Sequence, residues 1–318
     1  MIFLKEMKNM GKKNFNCDEW LKKGIIAYNS RDYKRAIECY EHALDLDPNF
    51  KEAWFRKGMA LGVLKDFESA IRCHEKALEI DPEYIEAWFG KAMALGILEK
   101  HEEAIKSYDK VLDLDPRFKD AWIAKATAFA GLKKLKETVE CYDKVLELDP
   151  HDTNTWYDKG FVLSWLKKFD KAIESFEKAL ELNPQHLDAW FYKGKALLNL
   201  EKFDKAIESF EKALELNPQH LDAWFYKGMV LLNLENYEEA IESYEKTLEL
   251  NPHHLDAWFY KGNSLANLWK YKEAIGCYER ALRIDPNYEE AWFNKELALR
   301  NLKRSNKEKK IKKRKKVL

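Results

Sequence analysis

The chain has 318 residues, and its 55 basic and 55 acidic side chains leave it formally neutral at pH 7. No stretch is long or apolar enough to cross a bilayer, and the opening Met1 to Glu6 meets charge before a signal-like apolar core can form, so a soluble, cytoplasmic protein is expected. The five cysteines, Cys17, Cys39, Cys73, Cys141 and Cys277, make no CxxC pair and cannot all be bridged, which argues against a disulfide scaffold and for a reducing compartment.

Residues 1–16 form a basic N-terminal extension, with four lysines against Glu6. From there a tryptophan recurs every 34 residues, at Trp20, Trp54, Trp88, Trp122, Trp156, Trp190, Trp224, Trp258 and Trp292. The eight prolines keep the same step, from Pro48 to Pro286. Only an internal repeat makes such a ladder, and its period decides the architecture. With each tryptophan at position 4 of its unit, the complete repeats run 17–50, 51–84, 85–118, 119–152, 153–186, 187–220, 221–254 and 255–288. A ninth, partial repeat over 289–302 reads as a capping helix, and residues 303–318 form a polybasic tail with ten Lys or Arg against Glu308. Neutrality overall therefore hides a division: +3 on the extension, +9 on the tail and −12 on the repeats.

Each repeat reads as two amphipathic helices. In the sixth, Trp190, Gly194 and Leu197 fall at i, i+4 and i+7, and Ala206, Phe210 and Ala213 repeat that spacing one helix later. An Asp-Pro or Asn-Pro pair stops the second helix, because proline disfavours helical backbone in the residue before it and lacks an amide donor. Nothing comparable separates the two helices: Leu200 to Asp204 holds neither Gly nor Pro, so that boundary rests on the shift of apolar phase. Glycine at position 8 (Gly194, Gly228, Gly262) and alanine at position 20 (Ala206, Ala240, Ala274) let helix axes approach to about 8 Å, with the tryptophan packed alongside. Residues 168–194 and 202–228 are the same string, an internal duplication that argues against a unique catalytic pocket there.

Trp at 4, Gly at 8, Ala at 20, Tyr or Phe at 24, Ala at 27 and Pro at 32 together resemble the tetratricopeptide repeat, over residues 17 to about 302. The resemblance implies an all-α fold, an α-solenoid wound as a right-handed superhelix of eight helix-turn-helix units plus a capping helix. It also implies that the first helix of each pair lines a concave groove through positions 2, 5, 6, 9, 12 and 13. The candidate peptide-binding groove is then Phe55, Phe89, Tyr157, Phe191, Phe225, Phe259 and Phe293 at position 5, Tyr192, Tyr226 and Tyr260 at position 6, Met59, Met93 and Met229 at position 9, and Asn199, Asn233 and Asn267 at position 13. Methionine adapts to varied apolar partners and asparagine can bond an extended backbone as donor and acceptor. Position 2 is acidic in every repeat except for Asn154, which suits the first helical turn. At position 7 the family usually has Leu, but this chain has Lys in all nine instances, from Lys23 to Lys295.

No catalytic, metal or cofactor constellation stands outside the repeat. Cys39, Cys73, Cys141 and Cys277 share position 23 with Ser107, Ser175, Ser209 and Ser243, which marks a small packing position. His186, His220 and His254 at position 34 stand in successive repeats, too far apart for one zinc, and read as surface-loop residues. The expected function is a noncatalytic protein-interaction scaffold that binds a peptide or partner protein in the groove, without membrane insertion. The alternative is an adaptor whose polybasic tail binds nucleic acid or another polyanion while the groove holds a protein.

Overall fold

A computed structural model of the chain describes the backbone of residues 16–315 and the side chains of 16–307. The basic N-terminal extension lies outside the described residues apart from Asn16, and so do the side chains of the polybasic tail beyond Lys307. Seventeen helices and no strand occur among the described residues, and the chain divides into two compact units at Pro150/His151.

The first unit holds α1 (Cys17–Asn29), α2 (Tyr33–Leu46), α3 (Lys51–Val63), α4 (Phe67–Ile80), α5 (Ile85–Ile97), α6 (His101–Leu114), α7 (Lys119–Gly131) and α8 (Leu135–Leu148). The second holds α9 (Thr153–Trp165), α10 (Phe169–Leu182), α11 (Leu187–Asn199), α12 (Phe203–Leu216), α13 (Leu221–Asn233), α14 (Tyr237–Leu250), α15 (Leu255–Asn267), α16 (Tyr271–Ile284) and α17 (Glu289–Lys315). Each repeat is thus an odd helix followed by an even one. The chain is an all-α repeat solenoid.

The break inside each repeat has a conformational cause that composition hides. Arg31, Lys65, Glu99 and Lys133 in the first unit, and Lys167, Glu201, Glu235 and Trp269 in the second, all have φ between 55° and 65°. Each is the left-handed residue of a Schellman motif: the Lys202 amide donates to the Leu197 carbonyl at 3.0 Å and the Glu201 amide to Leu198 at 3.0 Å. None is glycine. The second break agrees with the sequence reading, with Asn183 extended at φ −138° ahead of Pro184. Its side-chain oxygen accepts the Gln185 amide at 3.1 Å, an Asx turn that starts the loop.

Packing obeys the repeat. Position 8 glycines make room for rings: a Cβ on Gly194 would lie 2.7 Å from Phe210 Cε1, and one on Gly262 2.6 Å from Tyr278 Cε1. The fully buried layer is the even-helix face, Ala206, Ser209, Phe210, Ala213 and Leu214 in the sixth repeat, closed by Ala189, Ala196 and Leu197 of the odd helix. Within each unit, successive odd helices touch one another while no two even helices do. The odd helices therefore form the inner side of each unit, the side on which the expected groove residues stand.

Candidate functional site

The tryptophan ladder turns out to be a set of half-buried clamps between consecutive repeats. Trp190 Nε1 donates to the Pro184 carbonyl at 2.9 Å, and Trp54, Trp88, Trp122, Trp224, Trp258 and Trp292 bond their own preceding proline in the same way. Position 7 lysine explains its departure from the family pattern here. Lys193 Nζ lies 5.3 Å over the Trp190 ring and pairs with Glu177 of the preceding repeat at 2.9 Å. Lys57, Lys91, Lys125, Lys227, Lys261 and Lys295 make the same two contacts. The stem packs while the ammonium reaches a carboxylate across the repeat junction.

The position 5 rings need a correction. Phe191, Phe225 and Phe259 are buried, at 5, 9 and 7% exposure, so they support the odd-helix face rather than form it. The reason is the residue at position 34, which folds over them. His220 stacks 4.7 Å from Phe191, His254 4.7 Å from Phe225 and Tyr288 5.0 Å from Phe259. His186, His220 and His254 end the loops between repeats, and each also caps the next helix, its Nδ1 accepting the amide three residues on at 3.2 Å. Phe55, Phe89 and Tyr157 are half-buried beside Tyr84, Phe118 and His186 respectively. Phe293 is 70% exposed.

The other expected residues stay accessible. Met59 and Met93 are exposed on the first unit, where the neighbouring Gly62 and Gly96 face open space. Met229 is half-buried in the second. Tyr192, Tyr226 and Tyr260 are half-buried and stack on the buried rings Phe176, Phe210 and Tyr244 at 6.5, 6.1 and 6.2 Å. Asn199, Asn233 and Asn267 are exposed, each donating Nδ2 to the carbonyl four residues earlier. Their acceptor oxygens are left without a partner among the described residues.

An open cleft of about 520 Å³ in the second unit takes in one of the expected residues, Asn267. Asn263, Asn267, Asn294 and Asn301 line it together with Leu232, Leu297 and Trp269. Asn263 Oδ1 accepts both the Tyr278 hydroxyl and Asn294 Nδ2 at 2.9 Å, which fixes the amides at the base. The sequence pattern did not single out Asn263, Asn294, Asn301 and Trp269, nor Asp158, Phe161 and Trp165 on α9. A signal for two of them was in the count: of eleven tryptophans nine are on the ladder, and the remainder, Trp165 and Trp269, are 69 and 79% exposed.

Reactive groups are held quiet by burial, which pushes the thiols of Cys73, Cys141 and Cys277 up to about 11. Among the described residues no group of three or more His, Cys, Asp or Glu is placed to hold a metal ion, and no helix is long and apolar enough to cross a membrane.

Known proteins agree with this geometry. Family models of the tetratricopeptide repeat match residues 17–50, 52–84, 85–118 and 270–299. The model of anaphase-promoting complex, cyclosome, subunit 3 matches 131–213, 166–247 and 204–281. No curated protein matches the sequence. Among solved structures, YrrB, described as "a TPR protein with an unusual peptide-binding site", is 26% identical with a TM-score of 0.54 over 60% of this chain and 99% of its own. MamA from Desulfovibrio magneticus RS-1 is 21% identical, with a TM-score of 0.51 over 56% of this chain and 98% of its own. The Naa15/Naa10 complex bound to HypK-THB offers a chain 19% identical, with a TM-score of 0.57, covering 86% of this chain and 43% of its own. The last two likenesses are of fold alone. With its period, helix pairs and repeat junctions all in place, the chain belongs to the tetratricopeptide repeat family.

Proposed function

We propose that the protein is a noncatalytic interaction scaffold that holds a linear segment of a partner protein on its odd-helix face. The observation that carries this reading is the 520 Å³ cleft of the second unit, where four asparagine amides stand beside the exposed Trp269 ring. Amides offer donors and acceptors to a peptide backbone whatever its side chains, and an exposed ring supplies apolar contact area. The similarity to YrrB, whose description includes a peptide-binding site, supports the same reading.

The test is to pan a random linear-peptide library against the full chain and measure the recovered peptides by fluorescence anisotropy. Asn267→Ala and Trp269→Ala should each weaken binding about tenfold, the loss of one desolvated contact of roughly 1.4 kcal/mol. Glu208→Gln, on an exposed even-helix position, should change nothing. Failure to recover any peptide, or peptides indifferent to the cleft variants, refutes the reading.

A second reading rests on the tail, where ten basic residues stand among the last sixteen. It makes the protein an adaptor that also binds a polyanion through residues 303–318. A salt-dependent electrophoretic shift with arbitrary RNA, abolished by deleting 303–318, is the expected result; no shift at low salt removes this reading.

A further inference from the structure

On α9, Asp158, Phe161 and Trp165 succeed one another at spacings of three and four, so they stand on one stripe of the odd-helix face. The Phe161 ring lies 6.3 Å from Trp165 and 5.0 Å edge-on from Tyr192 of α11, and Tyr157 closes the group at 6.3 Å from Phe161 and 6.1 Å from Tyr192. Trp165 is among the most exposed large apolar side chains described. Asp158 is half-buried and has neither a hydrogen bond nor an ion pair among the described residues. In the next three repeats its position holds Tyr192, Tyr226 and Tyr260, so the carboxylate is a local departure from the pattern. Burial raises its pKa, the Asp152 charge adds to that, and His186 opposes it.

A half-buried carboxylate without a partner is costly, and the cost is relieved by a cation brought against it. The aromatic rings on the same stripe attract cations through their faces. Proximity of further negative charge strengthens the preference, since Asp152 bears on Asp158 and Asp188 on Tyr157. The molecule already shows this chemistry nearby: Lys195 Nζ sits 5.5 Å over Tyr192 and 4.8 Å over Tyr226. We propose that Asp158, Phe161 and Trp165, with Tyr192 packed behind Phe161, form a cation-binding subsite that takes a Lys or Arg side chain from a basic linear segment of another protein. The stem of that side chain lies along Phe161 and Trp165 and its charged head meets Asp158. Among the described residues, α17 touches only α15 and α16.

This inference rests on the peptide-binding reading and narrows the partner to a basic one. Two labelled twelve-residue probes, one alternating Arg with Ser and the other Glu with Ser, are titrated against the full chain by fluorescence anisotropy. The Arg probe is expected to bind and the Glu probe not to. Asp158→Asn and Trp165→Ala should each weaken the Arg probe about tenfold, with neither far-UV melt lowered, and Glu208→Gln should have no effect. Equal binding of the two probes, or of the Arg probe to the chain and to Asp158→Asn, overturns the subsite. A library peptide that is lost with Asn267→Ala but unmoved by Asp158→Asn does the same while leaving the peptide-binding reading intact. Deleting 303–318 should leave the Arg-probe affinity unchanged; a rise would make the tail the occupant and overturn the assignment to another protein.

Discussion

His74 takes a place that Tyr40, Tyr108, Tyr142, Phe176, Phe210, Tyr244 and Tyr278 fill in the other repeats. It is 3% exposed, a Cβ on Gly58 or Gly90 would meet its ring at 2.7 or 2.8 Å, and its Nδ1 has no hydrogen-bond partner. Burial pushes its pKa down to about 4 from the ordinary 6.5. The folded state then binds fewer protons than the unfolded one, so this group's contribution is complete above pH 6.5 and is lost as pH falls towards 4. The loss amounts to about 3 kcal/mol. His74→Phe should flatten the decline in melting temperature between pH 7 and pH 4.5, as read by circular dichroism; an unchanged decline would place the proton uptake elsewhere. The same position separates two tyrosines. The Tyr244 hydroxyl is buried without a partner, whereas the Tyr278 hydroxyl donates to Asn263 at 2.9 Å. Denaturant midpoints should show Tyr244→Phe stabilising and Tyr278→Phe destabilising by about 1 kcal/mol each, because an unmet buried hydroxyl costs what a met one contributes.

At the scale of the helix pair, the turn between odd and even helices depends on a residue forced to φ near +55°, Glu201 in the sixth repeat. A left-handed conformation costs an ordinary residue about 1–2 kcal/mol, partly offset against the greater unfolded entropy of glycine. Glu201→Gly should therefore leave stability equal or raised by up to about 1 kcal/mol, and Glu201→Val should lower it by more than about 1 kcal/mol. Thermal melts in which both variants behave alike would show that the turn is not strained. The junction between repeats has its own test. Trp190→Phe keeps most of the ring but removes the bond to Pro184, and urea unfolding should register a loss of about 1 kcal/mol. The helix pairs were legible in the sequence because Trp, Gly, Ala and Pro return at fixed steps. The strained turn was not, since its residues, from Arg31 to Trp269, share a conformation and no side-chain type.

For the whole molecule, a repeat array is held by terms within repeats and between neighbours, so identical positions differ in worth according to whether another repeat packs on their C-terminal side. Phe259 and Phe293 both stand at position 5, the first buried under Tyr288 and the second exposed at the last repeat. Phe259→Ala should cost about 3–5 kcal/mol and Phe293→Ala under about 0.5 kcal/mol, comparing urea midpoints. Similar losses would mean that the two rings are equally packed. The sequence by itself determined the period, the two helices per repeat, the small positions that admit rings and the uneven charge of body and tail. Those features are carried by spacing along the chain, which is local. Only the tertiary structure decided which side chains of the odd-helix face remain open. Phe191, Phe225 and Phe259 were covered by residues 29 positions later, and Trp165 and Trp269 were left uncovered, because burial depends on which neighbour folds over a position and the repeat pattern does not record that.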